Sequence, residues 1–116
     1  MTIVNFTVLI TFDLNYADSS DYRSVDKYLS ERDFERLSQK GDKLPSNIYL
    51  GKEEEYVGKV ARLSYVSEAD AAKLIKDRTY RNIKNMMKRS DLTSVVFVMV
   101  SPEESTFHSC SRLSEF

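Results

Sequence analysis

The chain has 116 residues, of which 41% are hydrophobic and 30% charged, with a formal net charge of −1. That balance fits one globular domain and argues against disorder. It also leaves any nucleic-acid or membrane reading to local clustering of charge. The single cysteine, Cys110, excludes an internal disulfide framework and implies a reducing, cytoplasmic setting. The longest apolar run, residues 95–100, is far too short for a membrane-spanning helix, so no membrane partner is expected.

Residues 3–14 show period-two alternation. Val4, Phe6, Val8, Ile10, Phe12 and Leu14 share one parity; Asn5, Thr7, Thr11 and Asp13 share the other with Ile3 and Leu9. This predicts a strand with one buried and one mixed face, and Asp13 at its C-terminal end on the mixed face. Because polar residues interrupt the apolar stretch at strand spacing, it does not read as a signal peptide.

Ser19 or Ser20 offers a helix N-cap and Asp21 suits a first turn. Tyr22, Val25, Tyr28 and Leu29 follow at helical spacing, with the helix ending near Arg32. Residues 34–37 could prolong that helix or begin an irregular strand. Gly41-Asp42 and Pro45-Ser46-Asn47 mark turns. Residues 48–50 read as a short strand and residues 57–66 as its hairpin partner, joined across 51–56, with Glu53-Glu54-Glu55 as a solvated tip.

Ser67 and Asp70 match a capping box, so a second helix begins there. Ala72, Ile75, Thr79, Ile83 and Met86 form its inner stripe, and Ser90-Asp91 ends it. Residues 94–100 are the last clear strand, followed by a polar, serine-rich tail.

The order strand, helix, strand, strand, helix, strand predicts an α+β, ferredoxin-like βαββαβ domain over residues 1–100. It would have a four-stranded antiparallel sheet with two helices on one face. The first and third strands would be central and the last would lie on an edge. Such an apolar edge invites cover. The cover would be a fifth strand from residues 105–110 of the 101–116 tail, exchanged or internal, or a second protomer.

This order, together with the segment LITFDLNYADSSDYRSVDKYL, resembles the Cas-two superfamily. That group includes the CRISPR-associated Cas-two proteins, the SinR-like branch and the virulence-associated protein D ribonucleases. The matching features are an apolar first strand ending in the aromatic-Asp-hydrophobic step Phe12-Asp13-Leu14 and a helix carrying Asp21-Tyr22. The hairpin, second helix and apolar last strand extend the resemblance over roughly residues 3–100. It implies a ferredoxin-like homodimer and RNA or DNA as target. It also implies a strand-end Asp that holds a divalent metal at the dimer axis. Here that residue is Asp13, as metal ligand and catalytic group with Mg2+ or Mn2+. Family members differ in whether they cut nucleic acid.

A magnesium-type cation needs oxygen ligands and keeps several waters, so one or two carboxylates suffice when phosphate supplies the rest. The bland alternative for Asp13 is a loop-capping acid. The second helix carries seven basic residues from Lys73 to Arg89 against Asp77 alone, a local +6 in a chain whose total is −1. Lys73, Lys76, Tyr80, Lys84 and Lys88 form one stripe, with Arg81 beside it, able to follow phosphates. The alternative is a solvated helix face whose positive charge suits the helix dipole.

Two functional readings therefore stand. One is a metal-dependent endonuclease acting on RNA or DNA through Asp13. The other is a non-catalytic dimeric module, such as an adaptor, an antitoxin or a phage-type inhibitor in a defence system, that binds nucleic acid or a protein. Residues 13–42 hold eight acids and five bases, a surface suited to a protein interface. No histidine or lysine is clearly placed as a general base beside Asp13, which weakens the catalytic reading.

Overall fold

A computed structural model describes residues 2–15, 19–36, 47–62 and 64–107. Over the described residues the protein is α+β: a five-stranded antiparallel sheet and two α-helices. The strands are β1 (Thr2–Asn15), β2 (Glu35–Arg36), β3 (Ile48–Ala61), β4 (Ser64–Val66) and β5 (Thr93–Pro102). The helices are α1 (Ser19–Ser30) and α2 (Glu68–Arg89). The sheet runs β2-β3-β1-β5, with the short β4 folded back on β3. β1 and β3 are thus interior and β5 ends the path. The central first strand and the edge position of the last strand agree with expectation. The expected four strands, with 48–50 second and 57–66 third, are replaced by five, with 48–61 as one strand.

The alternation in β1 decides the architecture. Phe6, Val8 and Ile10 are fully buried and Phe12 nearly so, while Asp13 on the opposite parity is exposed. The buried side chains join Val25 and Leu29 of α1 and Ala71, Ile75, Ile83, Met86 and Met87 of α2 in one core. Both helices therefore cover a single face.

Both helices end in the same way. Asp33 and Asp91 adopt left-handed backbone, at φ 62° and 56°. After α1, the Phe34 N–H donates to the Leu29 carbonyl and the Asp33 N–H to that of Ser30. After α2, the Leu92 N–H donates to Met87 and the Asp91 N–H to Lys88. These are Schellman closures, with an apolar residue following each turn. At the start of α2 the predicted capping box is present: Ser67 Oγ accepts from the Asp70 N–H, and Asp70 accepts from the Ser67 N–H.

The predicted hairpin at 51–56 is incorrect. Residues 48–61 form one continuous 14-residue strand, paired with β1 from Thr11↔Ile48 to Thr2↔Val57. Gly51 does not turn the chain. It lies in mid-strand because the Phe34 ring occupies the space its side chain would need: a Cβ there would collide with Phe34 Cδ1. Glu53 and Glu55 likewise are not a tip. They stand opposite Phe6 and Val4, on the helix-covered parity, and Arg78 of α2 reaches them at 3.8 and 3.3 Å.

The segment before β3 contributes only the two-residue β2 among the described residues. The turns expected at 41–46 lie outside them. Of the expected strand at 105–110, Ser105 instead ends a 3₁₀ turn, Glu103–Ser105, and Thr106 and Phe107 are in no strand. Residues 108–110 lie outside the described residues.

Candidate nucleic-acid interface and candidate metal centre

Asp13 stands on the open face of the sheet, in register with Val95 of β5. Its side chain is exposed, as predicted for the mixed face. The adjoining outward residues of β5 are apolar: Val95 is 67% exposed, and Phe97 and Met99 are each 52% exposed. Asp21 lies in the first turn of α1, and Asp18 falls outside the described residues. Among the described residues there is no group of three or more His, Cys, Asp and Glu side chains that could hold a metal ion. A hard divalent cation requires several oxygen ligands in defined geometry. Among the described residues of one chain, a single exposed carboxylate in register with a valine does not fit a resident Mg2+ or Mn2+.

The basic run of α2 is divided by its surroundings. Its buried face carries Ala71, Ile75, Thr79, Ile83, Met86 and Met87, which leaves the charged side chains on the two flanks and the outer surface. Toward the N-terminal half, acids answer the bases. Lys76 Nζ pairs with Asp77 at 2.5 Å. The hydrogen bond from Lys76, aided by the fields of Lys73 and Arg81, holds the Asp77 carboxyl below its ordinary range. Arg78 is engaged by Glu53 and Glu55.

Farther along, Lys84 Nζ donates to the Ser94 carbonyl at 3.0 Å and lies 3.4 Å from its hydroxyl. This lysine fastens α2 to the start of β5. Tyr80 is 44% exposed, and Lys73, Arg81 and Lys88 are exposed. Of the expected stripe of Lys73, Lys76, Tyr80, Arg81, Lys84 and Lys88, four side chains are exposed, whereas Lys76 and Lys84 are half-buried. Lys76 and Lys84 already have partners.

A feature absent from the sequence reading lies between the helix ends. Tyr28 and Arg32 of the α1 end, with Asn82, Asn85, Lys88 and Arg89 of α2, line an open cleft of about 530 Å³. The Arg32 guanidinium sits 3.7 Å from the centre of the Tyr28 ring, and its Nη1 donates to the Tyr28 carbonyl at 2.9 Å. The i,i+4 spacing of Tyr28 and Arg32 was the available signal, since it puts the two side chains together on a helical turn. A second depression, of about 440 Å³, shares Asn85 and Lys88 and is completed by Lys84, Asp91, Leu92, Thr93 and Ser94.

No helix is long and apolar enough to cross a membrane. No family model, curated protein or solved structure matches the chain. The fold and this surface define the class as a small α+β protein with a half-covered antiparallel sheet and a basic helix.

Proposed function

We propose that this chain is a Cas-two-like, nucleic-acid-directed module that works as a homodimer, binding RNA or DNA without cutting it as an isolated protomer. The observation carrying this reading is the exposed basic surface of α2, where Lys73, Arg81, Lys88 and Arg89 face solvent in a chain of net charge −1. Concentrating positive charge on one helix of a near-neutral protein favours contact with a phosphate backbone, with little dependence on base sequence.

A ferredoxin-like assignment fits the order of the four principal strands, β5-β1-β3-β2, in which β4 is an addition to β3. The dimer is favoured by the outward Val95, Phe97 and Met99 and by β5 lying at the end of the sheet path. An apolar edge of this kind is normally covered. The single Cys110 suits a cytoplasmic setting.

The test is a salt titration of binding to labelled single- and double-stranded RNA and DNA. The expected result is a linear fall of log affinity with log salt, at about 0.7–0.9 per phosphate contact. Absence of binding at low salt would retire this reading in favour of a protein partner. Metal-dependent cleavage is the second reading, favoured by the exposure of Asp13 on the open face. Two-fold packing through that face would bring two such carboxylates together.

A further inference from the structure

The cleft between the ends of α1 and α2 combines three cations with two carboxamides, and among the described residues no acid lines it. Lys88 and Arg89 have no acidic partner among the described residues, in contrast with Lys76 and Arg78. Two acids line adjoining depressions. Glu53 is engaged by Arg78. Asp91 shares a depression with Asn85 and Lys88 but forms no ion pair with Lys88 among the described residues. Arg32 is exposed but anchored. Stacking on Tyr28 and the bond to the Tyr28 carbonyl hold its guanidinium at the rim.

Helix C-termini ordinarily repel anions through their free carbonyls. Here the Schellman closures occupy the carbonyls of Leu29 and Ser30 in α1 and of Met87 and Lys88 in α2. Three cations converging on one opening repel one another unless an anion joins them. Asn82 and Asn85, three apart on one turn, can donate to the oxygens of such an anion.

We infer that this cleft is a phosphate-binding site. Arg32, Lys88 and Arg89 supply charge, Asn82 and Asn85 supply hydrogen bonds, and Tyr28 positions Arg32. The ligand chemistry is a phosphate ester, from either a nucleic-acid backbone or a free nucleotide. For the first source the inference rests on the nucleic-acid reading above and moves the principal contact from the Lys73–Lys76 part of the stripe to the helix ends, where Lys88 belongs to both.

The experiment compares wild type with three variants: a cleft triple (Arg32→Gln, Lys88→Gln, Arg89→Gln), a stripe double (Lys73→Gln, Lys76→Gln) and Tyr28→Leu. Each is checked for an unchanged melting curve. The probes are a labelled single-stranded oligonucleotide, AMP and inorganic pyrophosphate, the last two followed by the side-chain amide resonances of Asn82 and Asn85. The cleft triple should weaken oligonucleotide binding about tenfold or more and lower the log–log salt slope by about 2, at ~0.7 per lost contact. The stripe double should change affinity far less. Tyr28→Leu should weaken binding several-fold with the slope unchanged, since it removes no charge.

Equal losses in the triple and the double, or wild-type affinity in Tyr28→Leu, would mean diffuse attraction and overturn the site. If wild type binds no oligonucleotide but AMP or pyrophosphate shifts both amides in a triple-sensitive way, the site stands and the nucleic-acid reading falls. Silence from all three probes overturns both.

Discussion

Along β1, Phe6, Val8, Ile10 and Phe12 lie under the helices, whereas Ile3 and Asp13 on the other parity are exposed. The neighbouring β5 has the same division: Val96, Val98 and Val100 pack against the core, and Val95, Phe97 and Met99 face out. The two faces of the sheet thus share one backbone, and in β5, though not in β1, a similar supply of apolar side chains. They differ in having helices above them. The covered face carries the stability of the fold. On the open face, apolar area removed from water would be gained only by association. Substitutions on the first should therefore act on folding, and substitutions on the second on assembly and activity.

The largest expected effect lies under α2. Ile83 is 2% exposed within the core. Ile83→Ala should lower unfolding free energy by about 2–5 kcal/mol in denaturant titration, through lost transfer energy and the cavity left behind. A loss below 1 kcal/mol (roughly the scale of surface substitutions) would mean that α2 is not seated on this face.

Next comes Gly51, buried between Phe34 and β1. Gly51→Ala would drive a methyl group into the Phe34 ring and should cost about 1–3 kcal/mol by overpacking. Phe34→Leu in the same chain should recover part of that loss. Additive losses in the double mutant would show that the two residues do not compete for one space.

These covered-face residues also show what the sequence could disclose. Period-two spacing made β1 legible, and the Ser67–Asp70 pair made the start of α2 legible, because both signals are local. The 14-residue β3 was not legible. Its glycine and its three glutamates are turn-like by type, and only tertiary partners, Phe34 above Gly51 and Arg78 above Glu53 and Glu55, explain them in a strand. The site divided in the same manner. The outward position of Asp13 followed from parity. The capture of Lys84 by Ser94 and the meeting of Arg32 with Lys88 and Arg89 depend on how the helices and β5 pack.

A smaller effect, with a pH signature, belongs to Tyr49. Its ring is 1% exposed and stacks on Phe12 at 5.9 Å, and its hydroxyl donates to Asp26 Oδ1 at 2.6 Å. Burial first, and then the bond to Asp26, push the phenol above its ordinary value of 10.0. The folded state therefore holds this proton more tightly than the unfolded state. The associated stability is fully present below about pH 10 and is lost as pH rises toward the folded pKa. Tyr49→Phe should cost about 1–2 kcal/mol at neutral pH, the scale of a hydrogen bond to a carboxylate, and should flatten the alkaline limb of the stability curve. An alkaline limb identical in both proteins would assign that transition to another group.

Asp13 should have the smallest effect on folding and the most informative effect on activity. Its carboxylate is exposed, and its nearest open-face neighbour across the strand pair is Val95. Asp13→Asn keeps the shape and removes only the charge, so the melting temperature should not change measurably. In a dimer packed through the open face, two Asp13 carboxylates would approach and repel, and a cation between them would relieve that repulsion. Asp13→Asn should then tighten the dimer in chelator, as read by light scattering across a dilution series, and should abolish the difference between chelator and millimolar magnesium (on the order expected for a weak, solvent-open site). Cleavage assays on RNA and DNA with magnesium, manganese or chelator complete the comparison. Metal-dependent cutting by wild type and none by Asp13→Asn would establish the dimer as the catalytic unit. Equal cutting by both would place the activity elsewhere. No cutting by either, with dimer strength still linked to metal, would leave the open face as an assembly surface and the helix side as the part that meets nucleic acid.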